Sequence, residues 1–164
     1  MFKKRERYKI FLDSKSNFKI LPITNIFDEN KYYAFLQEEK TKYNLTQFLF
    51  TSKLTINLLL EILKYPNVFI SKIKLFDDDL ETTQEVLEIF TKYKNKEIDE
   101  RAVHSRLDYF EDDYSIDIQS FVLFSNNNGM LQVYVNGIFE NMDGDYWNSI
   151  LLNALETVWN EESI

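Results

Sequence analysis

Three carboxylate clusters are the residues of this chain best suited to chemistry: Asp77-Asp78-Asp79, Glu111-Asp112-Asp113, and Asp143 with Asp145 on either side of Gly144. Hard oxygen ligands of this kind hold Mg²⁺ or Ca²⁺, and a bound ion polarises a phosphoryl oxygen or activates water. Two clusters converging on one ion would make a small metal-dependent enzyme. Phosphoryl transfer also requires a lysine or a glycine-rich backbone to receive the phosphate, and neither accompanies these aspartates. Acids in loops also serve as helix starts. Asp79 and Asp145 stand where helices are expected to begin, and the helix dipole favours an acid there. The structural role outweighs the catalytic one, so no metal and no cofactor is expected.

The stretch from Asn141 to Leu152 matches a calcium loop at its first three ligand positions, Asn141, Asp143 and Asp145. Tyr146 then replaces the glycine of the sharp turn and Leu152 the closing bidentate glutamate, which excludes an EF-hand. His104 is the one histidine of the chain, which rules out multi-histidine metal sites. No G-x-S-x-G elbow presents a serine for it to activate. With only Gly129, Gly137 and Gly144, neither a dinucleotide fingerprint nor a Walker loop can be assembled. The chain has no cysteine, so thiolate nucleophiles, thiolate metal sites and disulfides are excluded.

Charge suggests what remains. The formal net charge is −8. An acidic surface repels phosphate backbones and attracts basic proteins, whose encounter it accelerates. Aromatic residues make up 16% of the chain, but most fall at core-facing periodicity and lack the interleaved basic residues of a stacking surface for single strands. Tyr109, Tyr114 and Tyr146 differ in lying beside acidic clusters. Tyrosine among carboxylates suits an interface for a basic protein. The candidate partner surface is therefore Asp77, Asp78, Asp79, Tyr109, Glu111, Asp112, Asp113 and Tyr114.

Positioning these residues requires a folded core. A 164-residue chain with 45% hydrophobic residues is expected to form one domain spanning 1–164, without staples. Alternation predicts a hairpin from Tyr8 to Leu12 and Phe18 to Ile20. Aromatic-rich segments from Lys31 to Gln37 and from Thr46 to Phe50 read as strands, with a helix over Tyr32 to Glu39 as the alternative. Apolar spacing predicts a helix from Lys53 to Lys64 capped by Ser52, stopped by Tyr65-Pro66. A strand from Val68 to Phe76 follows, then a helix from Thr83 to Lys94 with Thr82 and Glu85 at capping-box spacing. Residues 97–110 fit helix and strand equally. Ile116 to Ser125 and Met130 to Phe139 form the clearest hairpin, turning at Asn128-Gly129, whose residues tolerate the positive φ of a type I′ turn. Gly137 inside its second arm marks a bulge or a close backbone approach. A final amphipathic helix runs from Tyr146 to Asn160, capped by Asp145, with Trp147, Ile150, Leu151, Ala154, Leu155 and Val158 on one stripe.

The sum is an α+β domain, an antiparallel or mixed sheet with about three helices packed on it. No apolar run spans a bilayer and no signal peptide is evident, so a cytoplasmic protein is expected. The expected function is a non-enzymatic acidic binding protein that neutralises a basic protein partner, such as a toxin nuclease or effector, in the manner of an immunity protein, antitoxin or anti-defence inhibitor, with no direct contact to nucleic acid or membrane. The alternatives are the aspartate-based metal enzyme and an oligomeric adaptor domain.

Overall fold

The computed structural model describes residues 5–23, 29–77, 79–111 and 117–162. The elements run β1 (Glu6–Leu12), β2 (Phe18–Pro22), α1 (Glu29–Tyr43), β3 (Thr46–Gln47), α2 (Ser52–Leu63), β4 (Val68–Leu75), α3 (Leu80–Lys94), α4 (Glu100–Glu111), β5 (Ile118–Ser125), β6 (Gly129–Tyr134), β7 (Ile138–Asn141) and α5 (Gly144–Glu162). All seven strands join one sheet of order β2-β1-β7-β6-β5-β4, with β3 beside β1. Every pairing is antiparallel. The class is α+β as predicted, with five helices among the described residues where about three were expected.

One face of the sheet carries the main core. Tyr8, Ile10, Val68, Ile73, Leu75, Phe121, Leu123, Leu131, Val133 and Phe139 pack there against apolar residues of α2, α3, α4 and α5. The stripe predicted for α5, from Trp147 to Val158, is buried along its whole length. In β4 the core residues stand at 68, 70, 73 and 75, an interval no regular strand allows. A register shift between Ile70 and Lys72 restores the facing, and a second between Lys74 and Leu75 does the same for Ile118 opposite. The bulges keep the inward set inward.

Several local predictions change. Residues 31–37 lie within a helix, α1, because the helix-forming run from Gln37 to Lys42 continues them and the turn packs Phe35 and Leu36 against Phe11 and Leu45 in a small second core. The Thr46 to Phe50 strand shrinks to two ladder residues. Beyond them, Phe48 bonds Ile10 of β1, whereas Phe50 bonds Val135 in the turn after β6, so the segment crosses between partners. Residues 100–111 form the helix α4. Helix α2 is capped by Thr51, whose hydroxyl accepts the Leu54 N–H at 3.1 Å, while Ser52 donates to Asp117 ahead of β5. Helix α5 is capped by Asp143, which accepts the Tyr146 N–H, and not by Asp145. The Asn128-Gly129 hairpin exists, but the turn bond joins Asn128 N–H to Ser125 C=O and only Gly129 has positive φ, 72°. That is a three-residue loop closed by a left-handed glycine.

Gly137 splits the predicted second arm into β6 and β7. Its φ is +87°, and a Cβ there would lie 2.4 Å from the Phe48 carbonyl oxygen. Both the turn and the close approach demand glycine. Beside it lies Lys9, fully buried, donating to the Asn136 carbonyl at 2.5 Å. Burial pushes its pKa down to about 8.

Two outcomes are expected. Gly137→Ala should destabilise the protein by about 2–4 kcal/mol, because strain and a backbone clash coincide, whereas Gly129→Ala, at a similar φ but with only ordinary contacts, should cost about 1 kcal/mol. Urea unfolding of both variants measures the difference. Second, Lys9 stays protonated in the unfolded chain up to about pH 10.5 but releases its proton near pH 8 when folded. Its burial cost is therefore present in full below pH 8 and relieved as pH rises. Stability should increase by on the order of 1–2 kcal/mol from about pH 7.5 to about pH 9.5, and Lys9→Met should flatten the rise. Above that range Tyr8, Tyr93 and Tyr134, held above the usual phenol value chiefly by burial, act in the opposite direction.

Candidate functional site

Helix α3 turns Val86, Ile89 and Phe90 into the core, which leaves Glu81, Glu85 and Glu88 together on its exposed side. Their spacings of four and three residues place them on one face. Beside this row the helix presents an open, shallow face formed by Asp79, Leu80, Gln84, Leu87 and Thr91 along with the three glutamates. A cleft of about 230 Å³ lies on the other flank. It shares Glu85 and Glu88 and is closed by Ile89, Lys92 and, from α4, Arg106 and Tyr109. Glu85 and Glu88 thus form a ridge between this face and the cleft, which Glu81 continues along the face.

The electrostatics of the ridge grade along the helix. Glu88 pairs with Lys92 at 3.2 Å, an i,i+4 contact that neutralises the C-terminal end. Glu81 and Glu85 form no ion pair among the described residues. Beside the ridge stand two large exposed apolar side chains: Tyr109 is 75% exposed and Leu80 74%. Exposed apolar groups rimmed by charge mark surfaces of association.

Of the sequence-predicted surface, Asp77, Asp79 and Tyr109 are described with their side chains. Asp77 is exposed just after β4. Asp79 takes its structural role. It occupies the cap position of α3, where Thr82 donates its hydroxyl to the carboxylate at 2.5 Å and Thr83 bonds the carbonyl. Tyr109, on α4, lines the cleft beside the middle of α3. Asp78, Asp112, Asp113 and Tyr114 lie outside the described residues, and of Glu111 only its place at the end of α4 is described. Glu81, Glu85 and Glu88 form no cluster in the sequence, and their helical spacing is the signal that sets them on one face. His104 is half-buried on α4. Among the described residues, no three side chains of His, Cys, Asp or Glu are placed to share a metal ion. No helix of the described residues is long and apolar enough to cross a membrane.

Comparison with protein-family models, with curated proteins and with solved structures finds no match to this chain.

Proposed function

We propose that this chain is a binding protein that docks a basic protein partner on the exposed side of α3, using Glu81 and Glu85 for charge and Leu80 and Tyr109 as anchors. The observation that carries this is the coincidence on one surface of carboxylates at helical spacing with exposed aromatic and aliphatic side chains. Isolated surface charges contribute little affinity, but a same-sign row steers encounter. Binding energy concentrates in a few buried aromatic and aliphatic anchors, and Tyr109 is the natural one here. The mouth of a basic nucleic-acid cleft offers a complementary surface, since it presents lysine and arginine for phosphate. On this proposal the protein acts by occupying such a cleft, as an inhibitor or antitoxin does.

The acidity is not confined to this ridge. Asp13, Glu61, Glu97, Asp99, Glu100, Glu156 and Glu161 are spread over other elements, so the proposal rests on the ridge and not on net charge alone. Affinity capture from the native host at low salt, with wild type and Glu81→Lys/Glu85→Lys in parallel, tests it. The double variant should lose the stoichiometric partner or slow its association at least about tenfold, and Tyr109→Ala should speed dissociation. Equal recovery by wild type and both variants would remove α3 from consideration.

A further inference from the structure

The face of the sheet turned away from the main core carries a second surface, which stands independently of α3. Strand pairing sets its side chains in rows. Lys72 of β4 lies opposite Val122 of β5, Val122 opposite Gln132 of β6, Gln132 opposite Glu140 of β7, and Glu140 opposite Arg7 of β1. Lys74, Ser120 and Tyr134 form the next row, and Phe69, Phe124 and Met130 the row on the other side. Paired residues of neighbouring strands share a face. The residues that alternate with this set, among them Ile73, Leu123, Leu131, Val133 and Phe139, fill the main core on the opposite face.

Helices α2, α3, α4 and α5 pack into the main core, and α1 packs on the β1 end of this face, at Phe11. Phe69, Phe124, Met130, Tyr134 and Ile138 are half-buried and stand outside both hydrophobic cores. Phe124 stacks on Phe69 with ring centroids 5.4 Å apart. Four cations frame these side chains. Lys72 and Lys74 are exposed on the edge strand and form no ion pair among the described residues. Arg5 and Arg7, more than half exposed at the β1 end, share Glu140. Glu140 is the one carboxylate that the described strands place on this face, so a chain of net charge −8 is locally positive here. The Tyr134 hydroxyl lies in the field of this group: burial first and then Glu140 hold it above the usual phenol pKa, and Arg7 and Arg5 act against them. Along the chain no lysine or arginine stands between Asp117 and Asn141, so the basic residues beside Phe124 and Tyr134 come from the sheet alone.

We propose that this face binds single-stranded nucleic acid, with bases stacked on Phe124 and Tyr134 and phosphates held by Lys72 and Lys74 at one rim and by Arg5 and Arg7 at the other. Strand spacing of about 4.8 Å sets the row from Lys72 to Arg7 at about 19 Å. That is room for the two or three bases that the aromatic residues of a four-stranded sheet can stack. Aromatic rings accept any base by its π-face, and flanking cations follow the backbone. A duplex keeps its bases inside its own stack and offers this face phosphates alone. An acidic peptide answers the cations and leaves the rings unused.

Fluorescence anisotropy with short labelled strands of oligouridylate and oligothymidylate tests this, and the tighter of the two names RNA or DNA as the source. Binding should saturate at low ionic strength. With three phosphate contacts, affinity should fall about twentyfold between about 50 and about 200 mM salt. Lys72→Glu/Lys74→Glu, at two exposed positions, should weaken binding at least about tenfold. Tyr134→Leu should also weaken it about tenfold, whereas Tyr134→Phe, which keeps the ring, should bind as the wild type does. The lysine variant carries the test if Tyr134→Leu fails to fold. No saturable binding of either strand, undiminished binding by the lysine variant, Tyr134→Leu binding as tightly as Tyr134→Phe, or equal binding of a duplex or of polyglutamate overturns the assignment.

Discussion

The pairing of β1 with β7 is the contact on which the rest of the molecule depends. Strands β4 to β7 form a run of neighbours in chain order, and β1 with β2 forms a hairpin. Within the sheet the ladder from Glu6–Asn141 to Lys9–Ile138 joins them, and the Thr46–Phe50 segment bonds to both sides. Both faces of the ladder are used. On the core side Tyr8 stacks on Phe139 with ring centroids 5.1 Å apart. On the other side Arg7 pairs with the largely buried Glu140 through Nε at 2.8 Å, and Arg5 adds a longer contact. Beyond the end of β7, Gly137 accepts the Ile10 N–H at 2.9 Å, and the chain after β3 presses onto its missing side chain.

This closure leaves β2 and β4 as the edges of the sheet. Unpaired edges invite other strands, and both are blunted. Strand β4 carries exposed Lys72 and Lys74 and two register shifts. Strand β2 is short and ends in Pro22, which has no N–H to offer.

The charge gradient of α3 serves two ends at once. Acids Asp79 and Glu81 at its start and Lys92 and Lys94 at its end complement the helix dipole. Lys94 goes further, donating to the carbonyls of Leu63 and Tyr65 and so satisfying the open end of α2. Exposed carboxylates are thus concentrated on the N-terminal half of the helix, next to Leu80.

Periodicity was enough to determine the elements with a regular apolar pattern: the first hairpin, α2, α3, the β5–β6 hairpin and the stripe of α5. Their patterns are set by which of their residues are buried, a constraint written into successive positions. Segments that serve two partners could not be read this way. Residues 31–37 look β-prone because their aromatic content hides a helix that covers the back of β1, and Thr46 to Phe50 divides its bonds between β1 and the β6–β7 turn. Acid clusters were visible along the chain, but the ridge of Glu81, Glu85 and Glu88 and the row from Lys72 to Arg7 across the sheet were not. Those groupings depend on which helix face the core takes and which strands become neighbours, and long-range packing alone decides both.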